Sequence, residues 1–396
     1  MAKPRTKSRG DATTCVHGGE ERHGQNASIT TDIALSSVFV LPGVDELRRY
    51  AEGKSDAYLY TRYANPTTTV AEQKIAALEG AEACVVTSSG MGAILVAALS
   101  VCSAGDEIVS MLDIYGGTLK FFRNVLQRLG VKTRFVSYDE LDDVEELFNR
   151  RTKMLWLETP TNPTLRCVDL EKLARIGRKH KVCVVVDNTF ATPILQKPLE
   201  LGADLVMHSA TKYLGGHSDV TAGAVVGSRR WIDPARQMMI CSGVCLDPAA
   251  SYLLIRGLKT LEIRVQRACN NTRKIAEWLQ EQGRVARVMY PGLPRHPGHE
   301  AARRQMSDFG MMVSFELKGG RRAVEKLIDG LQLWYLATSL GGVESTVSYP
   351  ILSSHVGLSR EELKLLDVSE ATVRLSVGIE GATDLIADLE QALKRA

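Results

Sequence analysis

The sequence has little that would tie it to a membrane, a nucleic acid or an oxidising compartment. No apolar run approaches the roughly 20 residues that cross a bilayer, so no membrane span is expected. Charge of neither sign dominates. The 49 Lys and Arg stand against 46 Asp and Glu, for a formal net charge of +3. Dispersed charge of this kind forms neither a nucleic-acid stripe nor a basic membrane helix. Paired cysteine spacing is missing too. The eight cysteines (Cys15, Cys84, Cys102, Cys167, Cys183, Cys241, Cys245 and Cys269) are scattered, several within apolar runs. Buried free thiols in a reducing cytoplasm are expected rather than a disulfide framework. Cys241 and Cys245 lack the spacing of a zinc site, and His296 and His299 lie in a Pro/Gly loop, so no metal is expected. The basic "MAKPRTKSRG" has no apolar h-region. It reads as a disordered tail and not a secretory signal. There is no internal repeat.

What remains is ordinary globular composition, 44% hydrophobic and 24% charged. The length predicts two or three domains. From about Ala83 to Asp187, continuous apolar runs ("ACVVT", "DEIVSML", "TKMLWLET", "KVCVVVDN") alternate with helical spacing ("AILVAALS", "GGTLKFFRNVLQRLG", "DLEKLARIGRKH"). "GADLVMHS" and "TAGAVVGS" follow. That alternation predicts a largely parallel sheet covered on both faces. After about Gly257 a long helical stretch precedes strands "GMMVSFELKGG", "WYLATSLGG" and "ATVRLSVGIE" with helices between them, a second, α+β unit. The first sixty or so residues have weak periodicity and read as an extended arm. The expected organisation is 1–62 arm, 63–257 α/β domain and 258–396 α+β domain.

Three features carry chemistry. "VTSSGMGAI" puts small residues, Gly90 and Met91 among them, between a strand and a helix, where free backbone N–H groups suit a phosphate. "VVVDNTF" ends a buried strand in Asp187, a carboxylate costly to desolvate without a cation. In "HSATKYLGGHSD", Lys212 follows another strand, flanked by Ser209 and Thr211. An amine held in a dry site loses its proton more easily and can act as a nucleophile. Each alone has a plainer reading: a tight turn, a structural ion pair, a salt bridge. Together, at loop ends of one sheet, they match a ligand with a phosphate, a basic ring nitrogen and an aldehyde, namely pyridoxal 5′-phosphate (PLP). A nicotinamide dehydrogenase would share the sheet and glycine turn but does not require Lys212 with Asp187. A catalytically silent binding protein of the same fold would not need the lysine.

On "YTRYANPT", "SSGMGAI", "ETPTNPT", "VVDNTFATP", "SATKYLGGHSD", "SLGGVES" and "RLSVGIE", nearly the whole chain resembles the Cys/Met-metabolism (transsulfuration) family of PLP enzymes. The resemblance implies an α/β PLP-dependent transferase fold of the aspartate-aminotransferase-like type (fold type I), with a mostly parallel central sheet and a smaller α+β C-terminal domain. It implies Lys212 as Schiff-base lysine and proton shuttle, and Asp187 as partner of the pyridine nitrogen. Gly90, Met91, Ser209 and Thr211 would hold the phosphate, and Tyr115 would stack on the ring. Tyr60 and Arg62 would reach the phosphate of a neighbouring subunit in a homotetramer, a dimer of dimers with shared sites. Arg374 would grip the substrate carboxylate, assisted by Asn162 and Ser339, with Thr338 beside them and Glu158 near the ring. His208, His217 and Tyr63 are expected to be structural, and Trp334 and Tyr335 to be core.

The same resemblance bears on the substrate. Thr338 stands where many γ-lyases and γ-synthases carry Glu. Gly117 stands where methionine γ-lyases commonly carry Cys, and Met239 and Ile240 replace their Lys-Asp pair. "SLGGVES" and "SYP" resemble the cystathionine-handling branch. The expected activity is a carbon–sulfur lyase acting on cystathionine or a related thioether amino acid. The alternative is γ-replacement on a homoserine ester, as in a cystathionine γ-synthase or sulfhydrylase.

Overall fold

The apolar runs pack as strands of two sheets in a computed structural model that describes residues 10–20 and 28–396. The basic tail up to residue 9 lies outside the described residues. Seven strands form the first sheet: β1 (Ala83–Thr87), β2 (Glu107–Met111), β3 (Lys132–Val136), β4 (Thr152–Glu158), β5 (Cys183–Asp187), β6 (Leu205–His208) and β7 (Gly223–Gly227). Their spatial order is β1-β7-β6-β5-β4-β2-β3. The neighbours from β6 to β3 run parallel, and only β7 is antiparallel to both β1 and β6. Strands buried on both faces have no polar side to show, which is why β5 and β7 read as unbroken apolar runs.

Alternation still sorts their side chains. Val85, Leu205, Met207 and Val225 point into one core, while Cys84, Val86, Val206 and Val226 point into another. Helices Gly90–Val101 and Leu170–His180 contribute to the first core, and helices Pro66–Glu79 and Pro248–Leu258 to the second. Parallel register also sets Glu158 of β4 directly beside Asp187 of β5, so two carboxyl groups leave the sheet together at its carboxyl edge.

The second sheet holds β8 (Val285–Met289), β9 (Met312–Leu317), β10 (Tyr335–Leu336), β11 (Thr346–Ser348) and β12 (Thr372–Ser376), in the order β10-β11-β12-β9-β8. Its core gathers Ile275, Phe315, Trp334, Val373 and Leu389. Arg374 lies in β12, flanked by Ser314 and Ser348 on the neighbouring strands.

The long helical stretch forms helix Leu261–Gln280, and just before it Gly257 packs its bare backbone on the carbonyl of Gly215, where a Cβ would overlap that oxygen. Two local expectations differ from the structure. "GGTLKFFRNVLQRLG" passes from α-helix through a π turn to a 3-10 turn. "WYLATSLGG" is a strand only at Tyr335–Leu336. The rest is a loop in which Gly341, at φ +80°, sits where a Cβ would lie 2.7 Å from the amide of Tyr213. Both glycines therefore hold distant segments against the lysine loop.

Residues 28–62 have one helix, Val44–Ala51, with no buried residue. Ile29, Leu35, Val40 and Val44 are all more than 70% exposed. Among the described residues no helix is long and apolar enough to cross a membrane, and no group of three or more His, Cys, Asp or Glu could hold a metal ion.

Candidate active site

The carboxyl ends of β4, β5 and β6 open into a cleft of about 570 Å³, the edge at which open parallel sheets bind ligands. At one end lies the start of helix Gly90–Val101. Ser89 caps it in an extended conformation, its Oγ accepting from the amide of Gly92 at 3.0 Å. The amides of Gly90 and Met91 have no acceptor within the helix and sit at its positive end. A Cβ on Gly90 would lie 2.7 Å from Ser209 Oγ, so only glycine brings the helix start this close to the loop after β6. Thr211 lines the same end, with its hydroxyl donating to the Ala222 carbonyl at 3.1 Å and accepting from the Ala222 amide at 2.9 Å.

The floor holds the two carboxyl groups. Asp187 accepts from the Thr189 amide at 3.0 Å. Burial pushes its carboxyl above the usual range, opposed by the Thr189 hydrogen bonds and the field of His208. Glu158 accepts from the Tyr115 amide at 2.7 Å, and is pushed well up by burial and then by the charge of Asp187. His208 does not neutralise Asp187 by contact. Its Nε2 is bonded to Glu79 at 2.6 Å in a fully buried pair. The floor is thus short of a cation.

The roof carries the cations. Lys212 Nζ donates to Ser339 Oγ at 2.8 Å. Burial, and then the charge of Arg374, lower the lysine to about 8. Arg374 is 3% exposed and donates through Nη1 to Asn162 Oδ1 at 2.7 Å, while its Nε has no acceptor. Burial lowers it to about 10, against the opposing charges of Tyr213 and Glu158. A buried guanidinium with unused donors is ready for a carboxylate.

These donors fit PLP on their own terms. Free helix-start amides would hold the phosphate, the cation-deficient Asp187 would hold a protonated ring nitrogen, and Lys212 is the amine for the aldehyde. Tyr115 is half-exposed at the cleft wall, and a Cβ on Gly117 would overlap its ring.

Of the residues expected from the sequence, Gly90, Met91, Tyr115, Glu158, Asn162, Asp187, Ser209, Thr211, Lys212, Thr338, Ser339 and Arg374 all line this cleft. Tyr60 and Arg62 do not line it within one chain. Arg62 instead donates to the Ile240 carbonyl at 2.8 Å and lies over the rings of Tyr60 and Tyr63. His217 bonds the Gly215 carbonyl at 2.9 Å. Trp334 is core, but Tyr335 is a correction: on edge strand β10 it is 63% exposed. Sequence reasoning missed Thr189, whose hydroxyl accepts from the Ser209 amide at 2.8 Å and so ties the Asp187 turn to the lysine loop. Its place two residues after Asp187 was the available signal. It also missed Leu352, Ser353 and Ser354, which line the cleft from the turn after β11 and carry no local signature.

Residues 12–394 match the family described as Cys/Met metabolism PLP-dependent enzyme. An L-methionine gamma-lyase of Fusobacterium nucleatum subsp. polymorphum is 44% identical over 393 residues, 98% of this chain and 99% of that protein. A chloroplastic cystathionine gamma-synthase of Arabidopsis thaliana is 42% identical over 388 residues, 97% of this chain and 69% of that protein. The crystal structure of metB from Corynebacterium glutamicum superposes with a TM-score of 0.91 at 41% identity, covering 98% of each chain.

Proposed function

The chain belongs to the Cys/Met metabolism PLP-dependent enzymes, and from that premise we propose that it is a carbon–sulfur lyase of sulfur amino-acid metabolism. It takes a thioether amino acid such as cystathionine and water to a thiol, a 2-oxo acid and ammonia. The reading rests above all on one observation: Lys212 Nζ shares one cleft with Asp187, the free amides of Gly90 and Met91, and the under-used guanidinium of Arg374.

Bound PLP supplies an electron-accepting ring that stabilises negative charge at the substrate Cα. The residues do the rest. Asp187 keeps a proton on the ring nitrogen. Arg374, held by Asn162, orients the substrate carboxylate, and Ser339 sits beside it. The Lys212 amine, neutral in part near pH 8, takes the Cα proton and passes it on. Tyr115 covers the cleft and limits water. The exposed apolar arm supports a homotetramer in which Tyr60 and Arg62 complete the partner's phosphate site. Buried free thiols support a cytoplasmic location.

A second reading, γ-replacement on a homoserine ester, is favoured by the 42% identity to the plant synthase. Product analysis separates the two. Purified protein with PLP is given cystathionine, methionine, cysteine, or O-succinylhomoserine with cysteine. The lyase reading expects a 2-oxo acid, ammonia and thiol from a thioether. Cystathionine formed from the last mixture, without 2-oxo acid from the others, would transfer the assignment to γ-replacement. Turnover of none of them would remove it.

A further inference from the structure

A second cleft, of about 380 Å³, lies on the far side of the loop that carries Asn162. Its wall on that loop is Thr164 and Arg166, and its opposite wall is β8 and the segment after it, with Arg287 and Arg295. Of the Arg, Lys, Asp and Glu side chains that line it, three are arginines and one, Asp367, is a carboxylate. Arg166 Nη2 and Arg287 Nη1 share one carboxylate oxygen, Asp367 Oδ2, at 3.5 and 2.5 Å. Arg166 Nη1 reaches only Asp113, at 3.7 Å, and Arg287 Nη2 reaches Glu316 at 3.3 Å. Arg295 forms no ion pair among the described residues. Two buried donors make no hydrogen bond, Arg287 Nε and Arg166 Nη1, the latter with only the 3.7 Å approach to Asp113. Buried unmet donors on charged groups are costly. The cavity exceeds the space of one water by about tenfold and lies in the range of small-ligand sites.

We propose that this cleft binds a small, multiply charged anion, a di- or tricarboxylate or a phosphate, bridging Arg166, Arg287 and Arg295. The anion supplies acceptors on the cleft side, where Asp367 is the one carboxylate of the lining, with the planar two-donor recognition that guanidinium groups give such oxygens. The site is coupled to the first cleft by a short path. The Arg166 amide donates to Thr161 Oγ1 at 3.1 Å, the Thr161 amide donates to the Arg166 carbonyl at 2.9 Å, and Asn162 follows directly, holding Arg374. The Ser314 hydroxyl fixes the same loop through the Pro163 carbonyl at 2.7 Å. Filling the second cleft therefore ties down the loop that holds the Arg374 clamp.

The test uses holoenzyme, so that the cofactor's own phosphate site is filled. Sodium phosphate and sodium succinate are titrated separately by calorimetry against sodium chloride of matched ionic strength. The expected result is saturable binding of one or both, one site per chain, with a dissociation constant of about 1 mM or tighter. Arg295→Ala and Arg287→Ala should each weaken it by about tenfold or more. Arg295 is exposed and unpaired, so that variant folds even if the other does not. Binding of succinate alone identifies a carboxylate ligand, and of phosphate alone a phosphate ligand. No saturable binding of either anion, or affinity unchanged in Arg295→Ala, would overturn the proposal.

Discussion

Lys212 is a cation whose surroundings argue against charge. Burial and Arg374 lower it from the usual 10.5 to about 8, and that has a signed consequence for the protein without cofactor. Below pH 8 both folded and unfolded chains hold the proton, and the cost of burying the charge is felt in full. Between 8 and 10.5 the unfolded chain still binds a proton that the folded chain releases, so stability rises with pH across that window. Urea midpoints of apoprotein should rise from pH 8 towards 10, and Lys212→Met should lack that component of the rise. With cofactor, Lys212→Ala should lower turnover by about 10²–10⁴-fold or more and abolish the borohydride-trapped link at position 212. Asp187→Asn keeps the shape but removes the charge. Loss of one charge-assisted hydrogen bond, about 1.5–3 kcal/mol, predicts PLP affinity weaker by roughly ten- to a hundredfold, read by fluorescence titration, with turnover lower still.

Elements matter here mainly through where they end. β4, β5 and β6 were legible because a fully buried strand needs an unbroken apolar run, and "VVVDN" shows both the run and the carboxylate that ends it. The start of helix Gly90–Val101 was legible for a related reason: small residues after a strand mark a tight turn. Gly90→Ala tests that element. Its Cβ would lie 2.7 Å from Ser209 Oγ and 2.8 Å from Ser209 Cβ. Shifting the helix start away from the loop should weaken PLP binding by about tenfold or more and cost about 1–3 kcal/mol of stability, seen as a lower denaturation midpoint. The contact of Gly257 with the Gly215 carbonyl was not legible, because about forty positions of sequence separate the two. The same holds for β10, which an apolar run made to look longer than it is.

At the scale of the molecule, the arm sets the prediction. Apolar side chains as exposed as Val40, at 98%, and Val44, at 71%, are covered in a stable assembly or aggregate. A homotetramer is expected in sedimentation, and Val40→Glu with Val44→Glu should shift it to smaller species. The proposed sharing of sites between subunits has a sharper consequence. Lys212→Ala and Arg62→Ala, each inactive or impaired alone, should regain activity when unfolded together and refolded as mixed oligomers. Random pairing leaves about a quarter of the sites free of both changes. No recovery would place Arg62 in the same site as its own Lys212, or in none.

By itself the sequence determined the chemistry: an amine, a carboxylate and a glycine-rich helix start after three buried strands, because strand burial and backbone turns are local and leave local marks. Only the tertiary structure decided how those groups are charged and what faces them. Arg374 meets Asn162 across 212 positions of sequence, and Glu158 stands beside Asp187 through strand register. Ser353 and Ser354 reach the cleft from the turn after β11. Distances set by packing between remote segments depend on the whole core, and no short stretch of residues encodes them.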